Sequence, residues 1–186
     1  MDDGRIIELF WRRDEAAIEE ARAKYGAYCF AVAKNVLSSP EDAEECVNDT
    51  LLRAWGAIPP QRPARLKLFL ARIARNISFD RYKAQRAEKR GGGELPLVLE
   101  ELRECAGSER IESELERKEL EKAIAAFVHG LPEREKVLLL RRYFYTEPIS
   151  KIASQLGLSE ANAMSILSRT RKKLRTYLEK EGLINE

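Results

Sequence analysis

The sequence predicts an all-α protein made of two small helical domains joined by a flexible acidic linker. Nearly every segment of the 186-residue chain repeats apolar residues at intervals of three and four, which is the period of an amphipathic helix. Strand-like alternation is scarce, and no Asn-Gly or Asp-Gly pair separates two strand-like runs as it would in a β-hairpin. The length fits one or two small domains, each able to bury a modest core.

The first domain is expected over residues 1–90. Its four helices are predicted at about 4–12, 14–37, 40–55 and 65–88. Ser39 can cap the third helix, with Pro40 at its first helical position. A proline-rich loop after Gly56 separates the third helix from the fourth.

A triple glycine at 91–93 marks the sharpest change of composition and reads as a hinge. It opens a predicted linker over 91–118, which is rich in Glu and has some helical tendency. The second domain is expected over 119–186. Helices are predicted there at about 119–129 and 132–144, followed by a helix-turn-helix.

Composition excludes several classes of protein. The three cysteines are widely spaced and there is one histidine, so neither a zinc site nor a disulfide framework is expected. The N-terminus does not resemble a signal peptide, and no apolar run approaches the length of a membrane span. We therefore expect a cytoplasmic protein. No catalytic motif, metal site or cofactor-binding loop is recognisable, so an enzyme is not expected.

Residues 149–175 predict the helix-turn-helix. Gly157 supplies a left-handed turn residue, and Ser159 can cap the second helix. Opposite its apolar face, the second helix would present Glu160, Met164, Ser165, Ser168, Arg171, Lys172 and Arg175. Serine can bond a base edge or a phosphate, and the basic end suits phosphate anchoring. The alternative is a plain helical hairpin with a solvated basic end.

Two helices of the first domain have opposite charge. Residues 61–90 carry ten basic and two acidic residues, with aromatic side chains between the cations. This pattern suits single-stranded nucleic acid, although pattern alone favours an amphipathic helix with its aromatics in the core. The acidic helix at about 40–55 favours a docking or solvated face over a metal or acid–base site, because its carboxylates have no histidine beside them.

Three segments carry a more specific pattern: SPEDAEECVNDTLLRAW, LFLARIARNISFDRYKAQR and LPEREKVLLLRRYFYTEPISKIASQLGLSEANAMSILSRTRKKLR. Together they resemble the two domains of an extracytoplasmic-function-type sigma factor of the sigma-70 family. Their order and spacing match, and the resemblance covers nearly the whole chain except the linker. It implies a subunit that gives RNA polymerase its promoter specificity.

The resemblance assigns roles to three sets of residues. Docking on the clamp helices of the polymerase β′ subunit is assigned to Asp42, Glu45, Asn48, Leu51 and Trp55. Holding the melted non-template strand of the minus-ten element is assigned to Arg72, Arg75, Asn76, Asp80, Arg81 and Lys83. Reading the minus-thirty-five element is assigned to Ser159, Glu160, Asn162, Met164, Ser165, Ser168, Arg169, Arg171, Lys172 and Arg175.

The implied partners are core RNA polymerase, promoter DNA and an anti-sigma factor. The second domain would also contact the polymerase β flap, and the linker would run through the polymerase cleft. No membrane insertion is expected, and we expect the free protein to bind duplex DNA poorly.

The recognition helix departs from the family, because Met164 and Ile166 stand where many members carry cations. Base contact would be less electrostatic, or Ile166 would pack against a partner. Two alternatives remain open. One is a stand-alone helix-turn-helix regulator that binds duplex DNA without polymerase. The other is a decoy that binds polymerase or an anti-sigma factor without opening promoters.

Overall fold

The computed structural model describes residues 1–86, 95–103, 105 and 113–184. Every regular element in that part of the chain is helical, which confirms the all-α prediction. The chain divides into two compact units, Met1–Gly93 and Glu94–Glu186. The predicted glycine hinge and part of the predicted linker lie outside the described residues.

The described part of the first unit, residues 1–86, contains four helices: α1 (Asp3–Trp11), α2 (Ala16–Val36), α3 (Pro40–Ala57) and α4 (Leu66–Arg86). Helices α2, α3 and α4 pack on one another, and α1 packs on α2. The largest fully buried side chains come from all parts of this unit: Ile6, Phe10, Val36, Leu37, Leu51, Ile58, Leu66 and Leu70. Their burial fixes α3 and α4 side by side, which positions the acidic and basic faces described below.

The described part of the second unit contains α5 (Leu95–Arg103), α6 (Glu114–Gly130), α7 (Glu133–Leu139), a π-helical turn (Leu140–Phe144), α8 (Ile149–Gln155) and α9 (Glu160–Lys180). One core cluster joins α7, α8 and the first half of α9 through Leu138, Ile152, Ala153, Ala163 and Leu167. A second cluster joins α6 to the end of α9 and contains Cys105, Leu174 and Leu178. Both ends of α9 are therefore anchored.

Two of the described stretches of the predicted linker are helical. Helix α5 lies inside it, and α6 begins at Glu114, five residues before the predicted start. The earlier start has a local cause, since Ser113 and Glu116 form a capping box. The Ser113 hydroxyl accepts from the Glu116 amide at 3.1 Å, and the Glu116 carboxylate accepts from the Ser113 amide at 3.1 Å.

The three cysteines are buried, and none of them forms a disulfide. Burial raises the pKa of Cys29 to about 12. In the described part of the chain no group of three or more His, Cys, Asp or Glu side chains could hold a metal ion. None of the described helices is long and apolar enough to cross a membrane.

Candidate nucleic-acid and polymerase interfaces

Helix α3 carries the surface that the sequence assigns to polymerase docking. Ser39 caps this helix, since its Oγ accepts a hydrogen bond from the Asp42 amide at 3.1 Å. One face of α3 is buried through Ala43, Cys46, Val47, Thr50, Leu51 and Ala54. The opposite face is therefore exposed, and it carries Glu44, Glu45 and Asn48.

The structure corrects the docking role predicted for Leu51. This side chain is only 2% exposed, because it stands four residues after Val47 and three before Ala54 on the inner face of the helix. The next residue, Leu52, is 61% exposed. The apolar side chain that α3 offers to a partner is therefore Leu52. Leu52 is not among the docking residues predicted from the sequence, although the same helical spacing indicates it.

Trp55 lies at the end of α3 and keeps part of its surface exposed. Its ring packs against Phe10, with 6.1 Å between ring centroids. The Arg13 guanidinium lies 5.3 Å from the indole centroid, and Arg13 also donates a hydrogen bond to the Trp55 carbonyl. These contacts hold the indole in one orientation beside the exposed acidic face.

Two further docking candidates on α3 already have partners inside the unit. Asp42 Oδ2 accepts a hydrogen bond from Gln85 Nε2 at 2.8 Å. Asn48 Oδ1 accepts one from Arg22 Nη1 at 2.8 Å. Both bonds lie at the surface, so these groups stay accessible to a docking partner.

Arg81 bridges α3 and α4. Its Nη1 lies 2.8 Å from Glu45 Oε2, and its Nη2 lies 2.6 Å from Asp49 Oδ2. The hydrogen bond from Arg81 lowers the pKa of Glu45, and the hydrogen bond to Glu45 in turn raises the pKa of Arg81. Two carboxylates neutralise this cation, so the structure places Arg81 in an interhelical bridge rather than on the outer basic face.

Helix α4 turns Arg72, Asn76 and Lys83 toward solvent. Spacings of four and eleven residues bring these side chains to one face, opposite the buried Ala74. We call Arg72, Asn76 and Lys83 the outer face of α4. They are three of the six residues assigned to the minus-ten element.

Arg75 and Asp80, two other residues of that set, flank the outer face. The Arg75 guanidinium lies 4.5 Å from the Phe79 ring centroid, and Asp80 is exposed. A cation stacked on an aromatic ring beside a basic face is an arrangement on which nucleic-acid bases stack. The geometry therefore retains both features that the sequence pattern indicated, cations and an accessible aromatic ring.

Helices α8 and α9 meet at a tight turn. Gly157 adopts a φ of +64°, and the Leu158 amide donates to the Ala153 carbonyl at 2.9 Å. Ser159 then caps α9, its Oγ accepting from the Asn162 amide at 3.2 Å. Three predicted contact residues, Ser159, Glu160 and Asn162, are therefore exposed at the start of α9.

The exposed side of α9 carries most of the other predicted DNA contacts. Ser165, Arg169 and Lys172 are exposed, and Met164 is 58% exposed at the edge of this side. Ser168 and Arg175 are half-buried. Arg169 Nε donates to the Ser165 carbonyl at 3.3 Å, and Arg175 Nε lies 2.8 Å from Glu179 Oε1.

Ile166 packs against the core cluster of α7, α8 and α9. It stands three residues after the buried Ala163 and four before the buried Thr170, so helical geometry directs it partly inward. Ile166, which stands where many family members carry a cation, therefore packs within the second unit.

The structure also corrects Arg171, which the sequence placed on the outward side of α9. Arg171 is only 8% exposed, because it stands four residues after Leu167 and three before Leu174. Its Nη1 donates to the Tyr143 hydroxyl at 2.6 Å and lies 3.7 Å from Glu101 Oε2.

Glu101 on α5 is the centre of an ionic cluster that the sequence analysis missed. Its Oε1 accepts from Arg142 Nη2 at 2.5 Å and Nε at 3.2 Å, and its Oε2 accepts from the Tyr143 hydroxyl at 2.8 Å. Arg171 completes the cluster. The partners stand about 40 or more residues from Glu101 in sequence, and no periodic pattern indicates such a pairing.

Two family models match the chain in order. The family described as Sigma-70 region 2 matches residues 23–88, and the family described as Sigma-70, region 4 matches residues 121–174. The first match contains α3 and α4, and the second contains α7, α8 and most of α9. The matched segments therefore include the acidic, outer basic and helix-turn-helix surfaces described above.

Individual proteins are also similar. "Probable RNA polymerase sigma factor RfaY" of Xanthomonas campestris pv. campestris is 29% identical over 82% of this chain, and the chain spans only 37% of that protein's length. "ECF RNA polymerase sigma factor SigM" of Bacillus subtilis is 23% identical over 81% of this chain and 90% of that protein. The solved structure of CnrH in complex with the cytosolic domain of CnrY matches 96% of this chain and 97% of that chain, with 20% identity and a TM-score of 0.44.

Both sigma-70 regions occur in one chain in the same order as the two compact units, and a relative that aligns over most of its own length is an extracytoplasmic-function sigma factor. The chain therefore belongs to the sigma-70 family, as a sigma factor of the extracytoplasmic-function type.

Proposed function

We propose that the chain is a promoter-specificity subunit that binds core RNA polymerase in the cytoplasm and directs it to a two-part promoter. The observation that carries the proposal is the presence of both sigma-70 regions in one chain, each with a basic helical surface exposed to solvent. A sigma factor needs two such surfaces, since it contacts two separate promoter elements. The protein itself then recognises and positions DNA and carries out no chemical step.

The exposed face of α3 would dock on the β′ clamp helices. It combines carboxylates at Glu44 and Glu45 with the exposed Leu52 and the immobilised Trp55. Such a surface fits a partner that offers cations around an apolar pocket, because apolar and aromatic anchors supply binding energy while rim charges orient the encounter. The second unit would contact the β flap.

The outer face of α4 would hold the melted non-template strand of the minus-ten element. Arg72 and Lys83 can pair with phosphates, Asn76 can bond a base edge, and the Arg75–Phe79 pair can stack against an unpaired base. Arg81 would act indirectly, since its bridge to Glu45 and Asp49 keeps α4 aligned with α3.

The exposed side of α9 would read the minus-thirty-five element in the major groove. Ser165 can bond base edges, and Met164 can touch a thymine methyl group. Lys172 and Arg169 would anchor phosphates. An anti-sigma factor that covered α3 or α9 would compete directly with polymerase or with DNA, and we propose such a factor as the regulator.

Transcription in vitro tests this function. The purified protein is mixed with sigma-free core polymerase from its source bacterium and with fragmented genomic DNA, and the transcript starts are sequenced. Starts should cluster below a shared two-part sequence and should be lost in the double variant Arg72→Ala/Asn76→Ala. The matched control is Arg5→Ala, an exposed cation of the same unit on α1, which should preserve the starts.

Two other outcomes would contradict the proposal. Stable binding to core polymerase without new starts would favour the decoy. Tight duplex binding without any binding to core polymerase would favour a stand-alone regulator.

A further inference from the structure

Helix α5 is attached to the second unit at two points. On α5 itself, Val98 is only 1% exposed. Cys105, just beyond α5, packs against Leu174 and Leu178, and its thiol donates to the Arg171 carbonyl at 3.5 Å. A segment of the acidic linker is therefore held against α9 by apolar as well as ionic contacts.

The Glu101 carboxylate occupies a site lined by cationic and hydroxyl donors. Arg142 is 3% exposed and Arg171 is also buried, and both guanidinium groups converge with the Tyr143 hydroxyl on the Glu101 carboxylate. Burial acts to raise the pKa of Glu101, but hydrogen bonds from Arg142 and Tyr143 outweigh this effect and hold the pKa below its usual range. The carboxylate is consequently ionised at neutral pH.

The same site borders the surface proposed to read DNA. Glu101 lines a groove of about 370 Å³ together with Met164, Ser165, Ser168 and Arg171. The first half of a recognition helix is the part that contacts base edges. Docked α5 therefore places a negative charge beside the residues that duplex DNA would approach.

We propose that Glu101 occupies an anion site that a DNA phosphate takes in the promoter complex, so that α5 must leave the second unit before α9 binds duplex DNA. Carboxylate and phosphate are the two anions that guanidinium groups bind with strong, charge-assisted hydrogen bonds. They cannot share one site, because like charges repel. The inference rests on the proposed DNA-reading role of α9.

Release of α5 would change two charges at the interface. The negative charge of Glu101 would move away from the groove, and Arg171 would become available to a phosphate. Each additional phosphate that a protein neutralises on duplex DNA steepens the dependence of log Kd on log salt concentration by about 0.9. The proposal therefore predicts both tighter binding and a steeper salt dependence when α5 is displaced.

The test is polymerase-free binding of the full chain to a fluorescein-labelled 20-base-pair duplex of random sequence, followed by anisotropy across a salt series. Glu101→Gln should bind several-fold more tightly than the unaltered protein, with a salt slope steeper by about 0.9. The matched control is Glu119→Gln, an exposed carboxylate on α6 of the same unit, which makes the same change in net charge. Equal behaviour of the two variants would overturn the proposal.

A second variant separates displacement of α5 from loss of charge. Val98→Asp adds a negative charge yet should also tighten DNA binding, because it removes the buried anchor of α5. Weaker binding by this variant would contradict the proposal. Hydrogen exchange should show loss of protection at 95–103 and retained protection in α9. If α9 also loses protection, Val98→Asp has disturbed the DNA-binding helix itself. The comparison of Glu101→Gln with Glu119→Gln then decides whether the proposal holds.

This assay does not depend on polymerase. A chain that fails to start transcription yet shows the Glu101→Gln effect would refute the sigma role and keep the competition. If the protein starts transcription but Glu101→Gln and Glu119→Gln behave alike, the sigma role stands and the competition between Glu101 and DNA phosphate is refuted.

Discussion

An arginine assigned to DNA is paired with carboxylates in each unit, but the two pairings differ in where the carboxylates come from. In the first unit Arg81 of α4 binds Glu45 and Asp49 of the neighbouring α3, a helix of the same bundle. In the second unit Arg171 of α9 and the nearby Arg142 bind Glu101 of the short linker helix α5.

The two clusters therefore have different roles. The Arg81 bridge stabilises the packing of α3 on α4, whereas the Glu101 cluster holds a short helix that can dissociate. Helix α3 is held by a continuous core, so the Arg81 bridge persists while the outer face of α4 remains exposed. Helix α5 is nine residues long, and among its described side chains Val98 is the buried apolar one, so we expect that the Glu101 cluster can be lost without unfolding α9. Similar ion pairs thus stabilise the contact between α3 and α4 in the first unit and, by our proposal, block the DNA-binding side of α9 in the second.

The largest expected effect comes from Arg142→Ala, which removes a buried cation. Glu101 would lose its bidentate partner and the Glu147 carbonyl would lose a donor at 2.9 Å. Glu101 keeps Arg171 and Tyr143 as partners, so the main cost comes from the donors and acceptors left unsatisfied, about 1–3 kcal/mol. Urea unfolding followed by far-UV circular dichroism should show the loss.

Tryptophan fluorescence supplies an internal reference for that experiment, because Trp11 and Trp55, the two tryptophans, both lie in the first unit. The fluorescence midpoint should stay fixed in Arg142→Ala. The control variant Arg134→Ala, at an exposed position of α7, should change stability by less than about 0.5 kcal/mol. Equal shifts in both signals would contradict the assignment of Arg142 to the second unit alone.

The next effect concerns single-stranded DNA and the outer face of α4. Arg72→Ala and Lys83→Ala should each reduce the salt slope of binding to a labelled 12-nucleotide strand by about 0.7, the value expected when one fewer phosphate is neutralised. Arg81→Ala should leave this slope unchanged, since its cation is committed to Glu45 and Asp49. A slope reduced equally by all three variants would place Arg81 among the residues that bind phosphate.

A smaller effect is expected for Arg81→Ala on stability. The Glu45 and Asp49 side chains are 64% and 41% exposed, so water can solvate both when the bridge is removed. Exposed pairs of this kind contribute about 1 kcal/mol or less. The fluorescence-monitored urea midpoint measures the change. A loss of stability as large as that of Arg142→Ala would show that the exposed Arg81 bridge and the buried Glu101 cluster contribute equally.

The smallest effect near neutrality is the pH dependence of the Glu101 cluster. A carboxyl group whose pKa is lowered by folding adds stability above its unfolded pKa, near 4.5, and loses that contribution as pH falls through the lower folded value. The stability difference between the unaltered chain and Glu101→Gln should thus be constant from pH 8 to pH 6 and shrink below about pH 4.5. A difference that grows in acid would show the opposite sign of linkage.

Local patterns predicted most of the fold because its signals are short-range. The cap at Ser39, the turn at Gly157 and the helical period of α9 each act within a few residues. The same period also indicates the orientations of three misjudged positions. Arg171 and Ile166 stand three or four residues from buried neighbours, whereas none of the residues three or four from Leu52 is buried. The family resemblance indicated outward roles for Leu51 and Arg171, whereas helical geometry places both on buried faces.

The Glu101 cluster could not be predicted in this way. Its members come from α5, the π-helical turn and α9, and their meeting depends on how these elements pack. A run of Glu in a linker indicates solvation equally well. Only the ion pair of Glu101 with Arg171 and the packing of Cys105 on Leu174 and Leu178 show that one of these carboxylates is held against α9.

The docking of α5 also limits how far the chain can reach. With α5 attached to the second unit, the tether between the end of α4 at Arg86 and the start of α5 at Leu95 is eight residues long. Eight residues extend to at most about 30 Å, whereas two promoter elements two helical turns apart are separated by about 70 Å. Undocking would extend the tether to the start of α6 at Glu114 and more than triple its contour length. One event would therefore expose Arg171 and lengthen the tether between the two DNA-binding units.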